Sequence, residues 1–275
     1  MSHSFIAACV QMRGSKDPST NCDDAVRMIR EAASRGATFV QTPEISNFVN
    51  RDRETMMQSL FTEDKDPMLQ AFQALARELK ITIHAGSLSI KNGDKVANRA
   101  FVIAQTGNIA ARYDKIHLFD VDLANGETWR ESNTFTGGSE AIVVDIPNAK
   151  LGVSICYDVR FPYLFRALAD HGATVLSAPA CFTKQTGEAH WSVLQRARAI
   201  ENGAFMISAA QAGLHEDGRE TYGHSMIVDP WGRVLAEGDD KPGLIFAEIN
   251  TDAVTEARSR IPALRHTRPT PVSVY

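Results

Sequence analysis

The 275-residue chain holds only four cysteines, Cys9, Cys22, Cys156 and Cys181, and no two of them show the C-x-x-C spacing of a zinc site or redox motif. A chain of this length buries its core without covalent staples, so all four are expected as reduced thiols and no metal is implied. No run of lysine or arginine stands out, and the formal net charge is −4. The electrostatic footprint of a nucleic-acid binder is therefore missing, and a small molecule or a protein is the better partner. No apolar run approaches the ~18 residues of a membrane span. The start "MSHSFIAACVQM" lacks the basic region, long apolar stretch and small-residue cleavage site of a secretory leader. A cytoplasmic protein without a membrane partner is expected. No low-complexity linker marks a boundary either, so one domain is expected over 1–258. A proline- and arginine-rich tail follows over 259–275, extended and suited to docking on a neighbouring subunit.

What the chain does have is a repeated grammar. An apolar strand at Phe5–Met12 is followed by a helix from about Asn21 to Arg35, stopped by Gly36, and then by the buried strand "ATFVQTPE". "LFRALADHG" leads into "ATVLSAPA" and "VLQRARAIENG" into "AFMISAAQ" in the same manner. A helix ending in glycine before a continuous apolar strand signals αβ units whose strands are buried on both faces. Between them "ITIHAGSLSI", "NRAFVIAQ" and "IAARYDKIHL" are separated by turn residues, as hairpins are. This mixture predicts an α/β sandwich of two mixed sheets covered by helices.

Three strands end on reactive groups. "KLGVSICYDVRFPYLF" runs into Cys156 and then into Pro162, where a helix can begin. A thiol at such a strand-to-helix turn is placed like a nucleophile, with its pKa lowered by the helix end, although a free cysteine can equally be a small buried hydrophobe. Glu44 follows Pro43 at the end of "ATFVQTPE", as a catalytic carboxylate or a solvated loop acid. Lys115 lies two residues from His117 in "IAARYDKIHL", on the same face if the strand continues, as a site residue or an edge lysine.

Taken together, "PE" after a buried strand, "RYDKIHLFDVD", "CYDVRFP", "AHWSVLQRARAIENG" and "YGHSMIVDPWG" resemble the nitrilase superfamily of carbon–nitrogen hydrolases over nearly the whole chain. The resemblance implies an αββα fold, association in dimers and no cofactor. It also implies an active site in which Glu44 is the base, Cys156 the nucleophile and Lys115, with the backbone N–H of Tyr157, the oxyanion partner. The segment "TWRESNTFTGG" resembles that of a supporting glutamate, which points to Glu131, with Glu127 too close in sequence to set aside. Within the superfamily the chain resembles the Nit-type branch. An amide carrying carboxylates is then implied, deaminated glutathione ahead of 2-oxoglutaramate, with a carbamoylase or nitrilase as further alternatives. Arg160, Lys184 and Arg219 are the candidate carboxylate binders, although Arg160 could as well form an ion pair with Asp158. Arg198 and Glu201 are expected to pair structurally. His190 and Trp191 are read as packing and capping before a helix. Two rivals remain: an inactive binding protein of the same fold, and a Cys–His enzyme pairing Cys156 with His117 or His190.

Overall fold

The structure, a computed structural model, describes residues 4–123 and 126–274. The outer ends of the expected domain and tail, residues 1–3 and 275, lie outside the described residues.

Two sheets form the centre. In the first, the order is Gly243–Asn250, Ser4–Gln11, Phe39–Gln41, Thr82–Asn92, Lys95–Ile103 and Ile109–Asp114, with Phe135–Thr136 beside Lys95–Ile103. Ser4–Gln11, Phe39–Gln41 and Thr82–Asn92 run parallel, and the flanking strands of the ordered row are antiparallel. In the second, the order is Val234–Glu237, Met226–Val228, Phe205–Ser208, Val175–Ser177, Ala149–Val153 and Ile142–Ile146, with the middle three of Ala149–Val153, Val175–Ser177 and Phe205–Ser208 parallel. Each sheet is thus a parallel centre from αβ units with antiparallel flanks, some of them hairpins and others closed from distant parts of the chain.

Strand alternation sorts the core into layers. Phe5, Ala7 and Cys9 join Leu151, Val153 and Ile207 of the other sheet in one cluster. The intervening Ala8 and Val10 pack instead with Ala25, Ile29 and Phe72 of the helices Pro18–Ser34 and Pro67–Leu79. On the far side, Phe165 and Trp191 of the helices Pro162–Asp170 and Lys184–Asn202 close the second sheet. The result is a helix–sheet–sheet–helix sandwich.

Some boundaries differ from expectation. The first helix starts at Pro18, because Asp17 accepts the Ser19 and Thr20 amides and Pro18 fits the first turn. Gly36 and Gly203 end their helices at φ +93° and +53°, the left-handed region that a glycine reaches without strain. His190 and Trp191 lie within the helix Lys184–Asn202. The helix Asp252–Arg260 runs past the expected tail boundary at 258. Among the described residues no helix is long and apolar enough to cross a membrane.

Candidate active site

Glu44, Lys115 and Cys156 arrive from three chain segments just beyond strands. Glu44 is three residues past Phe39–Gln41, Lys115 follows Asp114 directly, and Cys156 opens the short 3₁₀ turn Cys156–Arg160 after Ala149–Val153. The strand before Lys115 ends at Asp114, three residues short of His117, so the alternation argument does not apply. Lys115 and His117 therefore do not share partners: Lys115 reaches Glu44, while His117 Nδ1 meets Asp158 Oδ1 at 2.6 Å.

The turns that present these groups are unusual. Ile45 and Cys156 both stand at φ +47°, a region that costs a side-chain-bearing residue about 1–3 kcal/mol. Asp158, fully buried, fixes the turn of the thiol by accepting from Ile155 N at 2.9 Å, His117 N at 3.1 Å and the Tyr113 hydroxyl at 2.6 Å. The Cys156 amide donates to the Pro179 carbonyl at 2.9 Å. A Cβ at Gly86 would come within 2.0 Å of the Thr42 carbonyl oxygen and 2.5 Å of Pro179 Cβ. Only glycine lets the loop of Glu44 and the loop of Pro179 approach so closely.

At the floor of a cavity of about 250 Å³, the Lys115 ammonium donates to Glu44 Oε1 at 2.8 Å and to Glu131 Oε2 at 2.9 Å. Glu44 Oε2 accepts the Cys181 amide at 2.7 Å, and Glu131 Oε2 the Phe119 amide at 2.6 Å. Burial opposes the charge on Lys115, but Glu131 and Glu44 outweigh it and hold the ammonium well above its usual range. Burial likewise opposes the charge on Glu44, and is outweighed by Lys115 and by bonds from Lys115, the Cys156 thiol and Asn98, which hold the carboxyl below its usual range. The thiol goes the other way from expectation. Burial first, and then the Glu44 charge, push Cys156 well above the usual thiol range despite Lys115. Burial and the neighbouring Glu44 carboxylate thus favour the thiol form of Cys156.

The structure places the remaining candidates unequally. Glu131, not Glu127, reaches Lys115; Glu127 pairs with Arg51 at 2.9 Å. Tyr157 lines the cavity, packed edge-on against Phe119 at 5.0 Å. Arg219 also lines it, paired with Asp217 at 2.9 Å and donating to the Cys181 sulfur at 3.6 Å. Arg160 and Lys184 lie outside the lining, contrary to expectation. Arg160 is drawn to the Phe182 ring at 5.2 Å and to His190 at 3.2 Å, and Lys184 is paired on the surface with Glu220 at 2.7 Å. Arg198 and Glu201 pair at 2.6 Å, as expected. Both nitrogens of His117 are engaged, by Asp158 and by the Tyr163 hydroxyl at 2.6 Å, so it does not serve Cys156 as the Cys–His alternative requires.

Sequence reasoning missed the rim. Trp129 meets two guanidinium groups, Arg51 at 4.2 Å and Arg219 at 5.1 Å from its ring centre. Cys181, Asn98 and Arg130 also line the cavity. Arg51 and Trp129 belong to connecting segments without periodicity, so only their residue types could have signalled them.

Comparison with known proteins places this geometry. The family profile described as carbon–nitrogen hydrolase matches residues 6–259. A deaminated glutathione amidase of Synechocystis sp. is 41% identical over 267 residues, covering 95% of this chain and 97% of the relative. Another, of Bos taurus, is 38% identical over 271 residues, with 96% and 82% covered. Among solved structures, Saccharomyces cerevisiae Nit3, a member of branch 10 of the nitrilase superfamily, superposes with a TM-score of 0.85 at 28% identity, with 94% of each chain covered. The C. elegans NitFhit protein superposes with a TM-score of 0.90 at 36% identity; 96% of this chain is covered but only 65% of that one.

Proposed function

The chain belongs to the carbon–nitrogen hydrolase family, a hydrolase of carbon–nitrogen bonds outside ordinary peptide bonds, and from that premise we propose an amidase that works through a Cys156 thioester on deaminated glutathione. The observation that carries the reading is the convergence of Glu44, Lys115 and the Cys156 thiol at the floor of one cavity.

Cys156 attacks the amide carbon as its proton passes to Glu44, the neighbouring carboxylate. The thiol's raised pKa makes this transfer part of the attack rather than a prior ionisation. As Glu44 is neutralised its hold on Lys115 weakens, just as negative charge grows on the substrate oxygen. Lys115, with the Tyr157 amide, then stabilises that oxygen, an interaction stronger in the transition state than before it. Glu131 keeps the ammonium charged and in place throughout. Glu44 returns its proton to the departing amine; a water that Glu44 deprotonates then attacks the thioester, and as the C–S bond breaks that proton passes back to the Cys156 sulfur.

The substrate assignment is supported by the relatives' names and by Arg219 at the cavity wall, with Arg51 beside Trp129, as partners for distal carboxylates. The second reading, an ω-amidase acting on 2-oxoglutaramate, uses the same floor with a shorter acid. Comparing kcat/KM for the two amides and a matched nitrile, by chromatography of the acid formed, decides between them. Faster turnover of 2-oxoglutaramate moves the function to ω-amidase, and faster nitrile turnover overturns the amidase reading.

The same reading places the enzyme in the cytoplasm, where four free thiols persist. It also makes the enzyme a dimer or dimer-based oligomer, with the C-terminal tail that follows the helix Asp252–Arg260 docked at the interface. Tyr163, Val193, Ile200 and Ile261, apolar or aromatic and 54–68% exposed, suit such an interface. An active monomer at micromolar concentration in light scattering would reject the assembly.

A further inference from the structure

One cation at the floor faces two buried anions, and a second donor spans the same pair. Asn98, in the strand Lys95–Ile103 and only 1% exposed, donates its Nδ2 to Glu44 Oε1 at 2.9 Å and to Glu131 Oε1 at 3.2 Å. Those oxygens also take Lys115 Nζ, at 2.8 and 3.0 Å, so an ammonium and an amide nitrogen stand together between two acceptors. The main chain couples the two donors as well, since the Lys115 amide bonds the Asn98 carbonyl at 3.0 Å.

The other end of the same side chain is telling. Asn98 Oδ1 is buried without a hydrogen-bond partner. Turning the amide over would aim that oxygen at two carboxylates, so charge dictates the orientation, and a buried acceptor goes unmet to keep the donor in place. A residue retained for packing alone has no need of such an arrangement. A neutral donor also suits the chemistry better than a second cation would. It steadies Glu44 as an anion, yet leaves the three charged groups with a net negative charge, so Glu44 can still accept a proton.

We propose that Asn98 is a positioning residue of the hydrolysis, holding Glu44 ionised and aimed at the Cys156 thiol while Lys115 is shared between two carboxylates. The proposal rests on the reading of Glu44 as the base. When Lys115 turns to the substrate oxygen, Asn98 still bridges the two glutamates and keeps their spacing.

The test compares the parent, Asn98→Ala, the isosteric Asn98→Asp and Glu44→Gln in two pH series: hydrolysis of deaminated glutathione, and alkylation of Cys156 by iodoacetamide followed by peptide mass spectrometry. The Asn98 bond favours the charged form of Glu44, so its loss moves the acid limb of both profiles toward higher pH. Asn98→Ala is expected to lower kcat by about 10- to 100-fold with KM within about threefold, and Asn98→Asp, which adds a third carboxylate, to lower it further. A fall in KM-dependent terms alone, or an unmoved acid limb, overturns the proposal. So does failure of both Asn98 variants to fold, which assigns the side chain to the fold. Glu44→Gln keeps the two questions apart. If the alkylation limb survives in Glu44→Gln, the base assignment itself fails, and the proposal with it. If the limb vanishes there but is unmoved in Asn98→Ala, only the proposal fails.

Discussion

At the floor of the cavity Lys115, Glu44 and Glu131 leave 2%, 5% and 12% of their side chains in water, whereas at the rim Arg51 and Arg130 leave 39% and 46%. The same kinds of ion pair are made in both places, at similar distances. Their consequences differ because the surrounding medium differs: a contact that gives about 1 kcal/mol in water is several-fold stronger where solvent is excluded, and its loss strands a charge that cannot be rehydrated. On the function proposed above, the floor holds protons and charges in fixed places, and the rim recognises and releases. Substitutions at the two levels should fail in different ways.

The sharpest contrast is expected at Cys156. Cys156→Ala and Cys156→Ser should abolish turnover while the circular dichroism spectrum and the melting transition remain close to the parent's, because the change removes one sulfur from a turn otherwise held by Asp158. Mass spectrometry of a slowly processed substrate should place the acyl adduct on the peptide of Cys156. An adduct on Cys181, which shares the cavity, would sink the nucleophile assignment.

Next in size is Lys115→Met, which leaves Glu44 and Glu131 facing each other with no cation. Removing one member of a buried ion pair costs about 3–5 kcal/mol, so a lower melting temperature should accompany the loss of activity. The sign of the pH dependence should also reverse on the acid side. In the parent, Glu44 is held below its usual 4.5, so its contribution to stability is present above that pH and lost as pH falls through the folded value. Lys115, held above 10.5, contributes below that pH and loses its contribution as pH rises through its folded value. Without the ammonium, burial dominates and one carboxyl binds its proton more tightly folded than unfolded. Melts from pH 7 down to pH 5 should therefore narrow the gap between variant and parent. A gap that widens would mean that Asn98 and the Cys181 amide suffice to keep the carboxylates ionised.

How far the sequence carried depended on the level of the molecule. At the floor, Glu44 and Cys156 could be read because each follows a mostly apolar strand whose pattern it breaks, whereas Glu131 was signalled only by the family resemblance. The two-sheet sandwich was legible in the helix–glycine–strand grammar, since Gly36 and Gly203 mark their helix ends by conformation. Lowered acidity of the thiol was not correctly foreseen, because burial and a carboxylate 112 positions earlier in the chain decide it, not the local helix end. Arg51, Trp129 and Asn98 escaped for a related reason: their meaning comes from partners far away in sequence. Arg160 and Lys184 looked basic and near, yet an aromatic face and a surface glutamate hold them elsewhere.

On the cavity wall, where Arg219 is as buried as Glu131 and Arg51 is exposed, the effect should appear as selectivity and not as lost chemistry. Arg219→Ala is expected to lower kcat/KM for deaminated glutathione by about 10- to 100-fold, with a much smaller fall for a truncated amide that lacks the distal carboxylate. Arg51→Ala should act in the same sense but less strongly, because its guanidinium is more exposed and already divided between Glu127 and the Trp129 ring. Equal losses on both amides would move Arg219 from the rim's function to the floor's, where its contact with Cys181, beside Glu44, would then matter most.

The smallest effect is expected outside the cavity, at Lys184→Ala. Lys184 opens the helix Lys184–Asn202, and half of its side chain is in water, as is nearly half of its partner Glu220. Its proton is held above the usual lysine range, first by the bond to Glu220 and then by that residue's charge, yet solvent and salt screen both. A cation in the first turn of a helix also meets the positive end of the helix dipole, so its loss removes an unfavourable contact along with the favourable pair. The two terms oppose, and kcat/KM for both amides should stay within about twofold of the parent. If Lys184→Ala instead lowered the rate for deaminated glutathione alone, and raising the salt concentration reproduced that loss in the parent, the surface would be steering the anionic substrate inward. The boundary between rim and exterior would then lie farther out than the lining residues indicate.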